Sequence, residues 1–324
     1  MYTRIITHDD LDGIASAALC ARFLGVRQYL FTGPRSITES KVVPTPADVV
    51  CDLPYPMECG LWFDHHEGNR EELGLRGIRI EDVPGAFALK PSCSRVVLEH
   101  FGKSHPVPVH FPDLVDHVDI VDSFSYESIE EWRKETPGRI LDASLKTQDK
   151  TFSEKYRFMT FLVDTLQDLP ADEVTRMPDV QSRYLRFVEE EKRMIDRIRE
   201  DASFLPEDED RTLVILDLTK HNQQPKIVKH LAHLLFPETL GVLEIRNLYR
   251  QNVKTNDLSV SMALSIRLNR GPHAKDVGEL MRRLNIGDGH SGAGSGTMSC
   301  ASKDDMLKTR DKIVKTLFAM WRAQ

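Results

Sequence analysis

The stretch Arg4-Ile5-Ile6-Thr7-His8-Asp9-Asp10-Leu11-Asp12-Gly13-Ile14 begins as a short apolar, β-branched run, turns acidic, and passes through a glycine into a new pattern. Beyond Gly13, the residues Ile14, Ala18, Ala21 and Leu24 recur at helical spacing, so the order is strand, polar loop, helix over Gly13 to Phe23. The motif repeats in part: Asp48-Val49-Val50-Cys51 runs into Asp52, and Gly60-Leu61-Trp62-Phe63 runs into Asp64. Short apolar strands that each end in a carboxylate predict an open, mostly parallel α/β sheet, with ligands gathered beyond the strands' carboxyl ends. Ser92 to Phe101 reads as a further helix, its apolar set being Val96, Val97, Leu98 and Phe101.

Working outward, Phe152 to Glu200 is helical in pattern throughout. Glu189-Glu190-Glu191-Lys192-Arg193 forms a solvent face, and Phe187, Val188, Met194, Ile195 and Ile198 form an inner one. The acidic run Pro206-Glu207-Asp208-Glu209-Asp210 marks a loop and a domain boundary. Strands are expected near Leu213 to Asp217, Leu240 to Ile245 and Leu258 to Leu268, and helices near Lys226 to Leu235, Ala274 to Leu284 and Asp304 to Trp321. The expectation is an α/β protein of two domains: a metal-binding, mostly parallel sheet over 1–150, a helical connector over 151–210, and a smaller mixed α/β domain over 211–324. A length of 324 residues suits two domains better than one.

The composition, 40% hydrophobic and 29% charged, excludes disordered and fibrous classes. The start of the chain lacks the apolar core of a signal peptide, and no run approaches the roughly 18 apolar residues of a membrane span, so a cytoplasmic protein with no membrane partner is expected. Five cysteines without a C-x-x-C pair point to buried or incidental thiols rather than disulfides or a zinc knuckle. The net charge of -7 argues against a general nucleic-acid coat. It is unevenly spread: residues 211–324 hold 18 Lys+Arg against 10 Asp+Glu, and the rest 25 against 40. An acidic half suits cations and a basic half an anionic substrate.

The chemistry-bearing residues cluster at the strand ends. In an extended loop alternate residues point the same way, so His8, Asp10 and Asp12 can face one site while Asp9 and Leu11 face away. Carboxylates with imidazole suit a borderline divalent ion such as manganese. An acidic helix cap explains the same aspartates without any metal. Of the adjacent pair His65 and His66, at most one is well placed as a ligand, leaving the other to meet substrate. Asp52 adds a carboxylate able to bridge two ions. Asp116, Asp119 and Asp122 fall three residues apart, along one face of a helix, a concentration of like charge that either cations or solvent must relieve.

With these residues in place, His8-x-Asp10-x-Asp12-Gly13, Asp52, Asp64-His65-His66 and Val118-Asp119-Ile120-Val121-Asp122-Ser123 resemble the four ordered motifs of the DHH phosphoesterase superfamily. Gly287-Asp288-Gly289-His290-Ser291-Gly292-Ala293-Gly294-Ser295-Gly296 resembles the glycine-rich motif of the accompanying DHHA1 substrate domain. The family includes RecJ-type single-strand exonucleases, nano-RNases that also take the 3′-phosphate from pAp, cyclic-dinucleotide hydrolases, exopolyphosphatases and class II pyrophosphatases. The resemblance implies two divalent ions, manganese with magnesium as the alternative. One would be held by His8, Asp10 and Asp52, the other by Asp12, Asp52, His65 and Asp119, with Asp122 the alternative to Asp119. It further implies His66 facing the scissile phosphate, with Asp64 supporting the catalytic site. Arg267, on the strand Leu264-Ser265-Ile266-Arg267, matches a substrate-gripping arginine, and Gly289, His290, Ser291 and Gly292 match an anion-binding loop. The tight His8-x-Asp10 spacing departs from the pyrophosphatase branch, and Asp288 stands where glycine is common.

What the resemblance implies is a two-metal phosphodiesterase cleaving short oligonucleotides from one end to 5′-mononucleotides. Polyphosphate, pAp or a cyclic dinucleotide are alternative substrates, and a nucleotide-sensing protein is the non-enzymatic one. Without the extra oligonucleotide-binding fold of a long-strand exonuclease, a short phosphorylated partner is expected and no long duplex. A homodimer is the oligomeric state entertained.

Overall fold

The computed structural model describes residues 1–270 and 272–324. The chain divides into two compact units, one of Met1–Tyr126 and Trp132–Val188, the other of Glu127–Glu131 and Glu189–Gln324. Among the described residues no helix is long and apolar enough to cross a membrane.

The first unit is built on five parallel strands in the order β2-β1-β3-β4-β5: β1 Arg4–Thr7, β2 Tyr29–Phe31, β3 Asp48–Cys51, β4 Leu61–Asp64 and β5 Gly85–Phe87. Central parallel strands are covered on both faces, so they are continuous apolar runs whose neighbours alternate between two cores. Ile6, Val50 and Trp62 enter one core with Ile37, Leu53 and Leu73. Ile5, Val49 and Phe63 are also fully or almost fully buried, and the Phe63 ring lies 5.7 Å from that of Phe101. Truncating Trp62 or Phe63 to alanine would cost about 3–5 kcal/mol. The helices up to Asp201 are α1 Leu11–Leu24, α2 Pro34–Thr38, α3 Glu67–Leu75, α4 Cys93–Gly102, α5 Phe111–Asp122, α6 Ile129–Trp132, α7 Pro137–Lys146, α8 Phe152–Leu166, α9 Ala171–Thr175 and α10 Pro178–Asp201, of which α6 up to Glu131 and α10 from Glu189 onward belong to the second unit.

Register fixes where the strands end. Arg4 pairs with Asp48 in the ladder, and its guanidinium bonds both oxygens of the buried Asp48 carboxylate at 2.8 and 2.9 Å. Thr7 is then level with Cys51, and Cys51 with Phe63. His8 and Asp52 therefore leave the sheet side by side, with Asp64 level with them. The strand order reverses between β1 and β3, and a doubly wound sheet opens a crevice at that reversal.

The second unit carries a six-stranded mixed sheet in the order β10-β11-β9-β8-β7-β6: β6 Ala202–Ser203, β7 Leu213–Asp217, β8 Gly241–Arg250, β9 Val253–Leu264, β10 Gly287–His290 and β11 Ala293–Met298. Only β7 and β8 run parallel. With α11 Ala232–Leu235, α12 Val277–Arg283 and α13 Lys303–Ala323, it encloses a core that includes Leu243, Val260, Met262, Leu280, Leu317 and Trp321.

Two expectations for this unit need correcting. The glycine-rich run is no loop but the hairpin β10–β11, whose backbone groups pair in an antiparallel ladder. Glycine suits it because the two strands lie so close that a Cβ on Gly287 would stand 1.9 Å from the Ser295 carbonyl oxygen and one on Gly289 2.3 Å from that of Ala293. In addition α12 packs on the strand with Gly278, where a Cβ would stand 2.1 Å from the Gly289 carbonyl oxygen. Arg267 is not on a strand either, since β9 ends at Leu264 and Ile266–Arg270 coils into a 3₁₀ helix.

Candidate metal centre

The residues singled out in the sequence converge where β1, β3 and β4 end. After β1 the chain enters α1 through Asp10, whose carboxylate accepts the Gly13 N–H at 3.0 Å as a helix cap. The turn is so tight that a Cβ on Gly13 would lie 2.2 Å from the His8 carbonyl oxygen, and Thr7 Oγ1 donates to the Gly13 carbonyl at 2.7 Å. Only glycine permits this approach, which brings Asp12 to the strand ends. At the end of β3, Asp52 takes a left-handed conformation (φ 56°) while its N–H donates to Phe63 O at 2.9 Å. Aspartate tolerates this better than most residues, and such backbone conformations concentrate at functional sites.

Three groups of donors result, each with its ligand atoms within 4.8 Å of one another: His8, Asp10 and Asp52; Asp12, His65 and Asp122; and Asp52, His65 and His66. His8 Nδ1 lies 2.7 Å from Asp10 Oδ2 and 3.3 Å from Asp52 Oδ2. His65 Nε2 lies 3.4 Å from Asp122 Oδ2, 3.6 Å from Asp52 Oδ1 and 3.7 Å from Asp12 Oδ2. Asp52 thus belongs to both sides of the cluster. Asp119 does not join it. Its carboxylate accepts from Ser92 Oγ at 2.5 Å and from Arg95 Nε at 2.8 Å, and Asp122, one turn along α5, stands where Asp119 was expected. The spacing of three rotates each aspartate about 60° around the helix, and only the last reaches His65.

A divalent cation fits these residues on grounds internal to the structure. His65 Nδ1 is 2.9 Å from the Lys90 carbonyl, to which it can only donate, so Nε2 is the nitrogen that faces the carboxylates. That Nε2 and Asp52 Oδ1 are buried without a hydrogen-bond partner. Separations of 3.4–3.7 Å are long for hydrogen bonds, whereas adjacent donors around one ion at about 2.1 Å stand about 3–3.5 Å apart. The electrostatics agree. Burial and the facing charges of Asp52 and Asp10 push Asp12 up to about 7, and burial with Asp12 and Asp52 raises Asp122 well above the carboxylate range. Burial opposes charge on the imidazoles too, but Asp10 and Asp52 lift His8 to about 12, and Asp52, Asp12 and Asp122 lift His65 to about 11. Burial likewise works against charge on Asp52, yet the rings of His65 and His8 hold its carboxyl far below the usual range. The cluster stores a demand for positive charge that protons meet in the absence of a metal.

Asp64 is wholly buried and both its oxygens are engaged, Oδ1 with His66 Nδ1 at 2.9 Å and Oδ2 with the Asn69 amide at 2.7 Å. It orients His66, whose side chain is 49% exposed. Enclosure works against charge on that ring, but Asp64 raises it to about 9. Sequence reasoning missed Asn69, Ser92, Arg95 and Lys155, which pairs with Asp9 from α8. None carries a motif signal: the partners of Ser92, Arg95 and Lys155 are distant in sequence, and Asn69, five residues beyond Asp64, lies outside the motif. All five cysteines are free and buried, as expected.

In the second unit Arg267 is exposed and paired with Glu238 Oε2 at 2.6 Å, also donating to the Glu238 carbonyl at 2.7 Å. His290 ends β10 and its Nδ1 accepts the Gly292 N–H at 3.0 Å. The Ser291 and Gly292 carbonyls accept from Val277 and Leu264, tying the hairpin tip to α12 and β9. Asp288 bonds Arg282 at 2.8 Å, and Arg282 also reaches the Gly289 carbonyl at 3.1 Å.

No family model matches the sequence, and no curated protein does. Among solved structures the chain is similar to the pGpG-specific phosphodiesterase PggH of Vibrio cholerae, at a TM-score of 0.68 and 23% identity, over 98% of this chain and 99% of that one. It is similar to RecJ of Thermus thermophilus, solved with Mn2+, at a TM-score of 0.52 and 13% identity, over 98% of this chain but 52% of RecJ, so it spans about half of that protein. A DHH-domain member of the S1p family of ribosomal proteins matches at a TM-score of 0.53 and 13% identity, over 98% and 86% of the two chains. With its parallel sheet, its mixed sheet and its strand-end cluster of possible metal donors, the chain has the two-domain α/β fold of these structures, the fold expected from the resemblance of its motifs to DHH proteins.

Proposed function

We propose that this protein is a metal-dependent phosphodiesterase that hydrolyses short linear oligonucleotides, dinucleotides above all, to 5′-mononucleotides. The observation that carries the reading is the pair of buried, partnerless donors, Asp52 Oδ1 and His65 Nε2, at the centre of overlapping ligand groups. His8, Asp10 and Asp52 would hold one ion, and Asp12, Asp52, His65 and Asp122 the other. Two divalent ions held by these residues would supply Lewis acidity, making water nucleophilic near neutral pH and offsetting charge on phosphoryl oxygens. Manganese suits the mixed imidazole and carboxylate set, with magnesium the alternative. Asp64 holds His66 by Nδ1, leaving Nε2 to approach the substrate. Asp64 favours the protonated ring, from whose Nε2 the leaving oxygen can take a proton. Arg267 can grip a phosphate after giving up Glu238, an exchange that costs little because the existing pair is exposed.

A short substrate is supported by the likeness, over the whole of both chains, to a phosphodiesterase specific for the linear dinucleotide pGpG. The test is to incubate the manganese-loaded protein with pGpG, other 5′-phosphorylated dinucleotides, pAp, a cyclic dinucleotide and polyphosphate in parallel. Release of 5′-mononucleotides from the linear dinucleotides, abolished by chelation, is expected. Turnover of polyphosphate, pAp or the cyclic dinucleotide with the linear dinucleotides left intact would overturn the substrate assignment.

A further inference from the structure

The first turn of α4 touches both helices that deliver carboxylates to His65. Its backbone holds α1: the Cys93 and Ser94 N–H groups donate to Asp12 Oδ2 and Oδ1 at 2.6 and 2.8 Å. Its side chains hold α5: Ser92 Oγ donates to Asp119 Oδ1 at 2.5 Å, and Arg95 Nε donates to Asp119 Oδ2 at 2.8 Å. The same guanidinium reaches Asp116 at 2.5 Å. We propose that Arg95 and Asp119 are positioning residues that clamp α5 to α4 so that Asp122 meets Asp12 and His65, completing one of the two ion sites. The inference rests on the metal reading above.

The clamp fixes a specific distance. Asp122, the last residue of α5, places Oδ2 3.4 Å from His65 Nε2 and joins Asp12 and His65 in one ligand group, so an end of α5 free to move would open that group. Arg95 cannot neutralise Asp122 without competing with a metal. By gripping Asp119 one turn earlier, it restrains the helix while leaving the ligand oxygens open. Its pair with Asp119 is largely shielded, the side chains being 22% and 15% exposed, and a charge-assisted bond of that kind holds more firmly than an open surface pair. The clamp bonds neither His8 nor Asp10, which with Asp52 form the other group. Of the four aspartates of α5, Asp116 and Asp119 thereby hold and Asp122 ligates.

Manganese titration of the full chain, followed by electron paramagnetic resonance and calorimetry, tests this without substrate. The wild type is expected to take two ions with a spin-coupled signal. Arg95→Gln and Asp119→Asn should each weaken one ion by about 10- to 100-fold and leave the other within about twofold, so that isolated-ion spectra replace the coupled one at intermediate manganese. Arg95→Lys should recover part of the loss. Combining Arg95→Gln with Asp122→Asn should add little to Asp122→Asn alone, since both act through one ligand. Unchanged binding of both ions, equal loss of both, or fully additive losses would each overturn the clamp while leaving the metal site standing. A wild type that binds no ion pair would remove the metal reading and the clamp with it.

Discussion

His65 in the first unit and His233 in the second are near twins in bonding and opposites in charge. His233 is buried and the His65 side chain nearly so, each has Nδ1 spoken for by an oxygen, and each has an Nε2 without a hydrogen-bond partner. Around His65 stand Asp52, Asp12 and Asp122, and despite burial its pKa rises to about 11. Around His233 no charge offsets burial, and its pKa falls to about 4. Thr239 donates its own hydroxyl to Phe236 O, so it receives the His233 Nδ1–H and the ring stays neutral. The surroundings, not the burial, separate a site that demands a cation from a core residue that excludes one. The polar groups of the second unit follow the same division, since Arg267, Arg282 and the His290 ring all have protein partners.

The comparison breaks most severely at Asp52. Asp52→Ala removes the carboxylate whose Oδ2 faces His8 and whose Oδ1 faces His65, and brings the surroundings of His65 closer to those of His233. Dinucleotide hydrolysis should fall by on the order of 10³-fold, and bound manganese measured by elemental analysis should drop. Retention of both would refute the shared role.

The next effect is on stability in the second unit. His233 binds a proton more readily unfolded, near pH 6.5, than folded, near 4, so its contribution is fully present above pH 6.5 and is lost as pH falls toward 4. The shift corresponds to at most about 3 kcal/mol. Urea unfolding of wild type and His233→Asn between pH 4 and 7 should show a shallower loss in the variant, which keeps a donor for Thr239 but does not titrate. Parallel pH curves would assign the acid sensitivity elsewhere. Smallest are the changes at Arg267. Arg267→Ala should raise KM about 10-fold with kcat little altered, and Glu238→Gln, which removes the ion pair but leaves the bond to the main-chain carbonyl, should lower KM by about two- to threefold. An Arg267→Ala enzyme with unchanged KM would place phosphate binding on other residues.

How legible this was in the sequence depends on how local each cause is. Strands such as Val49-Val50-Cys51 and Trp62-Phe63 are buried on both faces, which makes them unbroken apolar runs, and the polar residue that follows marks the strand end directly. The convergence of His8, Asp52 and His65 followed from that, because parallel register aligns strand ends. The choice between Asp119 and Asp122 did not follow. Both lie on one side of α5, and what divides them is Arg95, 24 residues upstream and reached only through the fold. The glycine run read as a loop because glycine weakens strands in isolation. In the structure the ladder to β9 and the close approach of α12 override that preference. Arg267 was misplaced because the apolar run past Leu264 continues the strand pattern, while Leu268 N–H bonding back to Ser265 O starts a 3₁₀ turn.

The side-by-side exit of His8 and Asp52 also bears on how the chain reaches its native state. These neighbours are 44 residues apart in sequence, and they meet only once β1 and β3 have paired across the intervening crossover. Pairings of that separation are slow to form, since loop-closure entropy is lost before any contact rewards it. The first ion site therefore does not exist in any local fragment of the chain. Its assembly would be a chemical gauge of sheet closure, and an ion bound there would hold shut the pairing of β1 with β3.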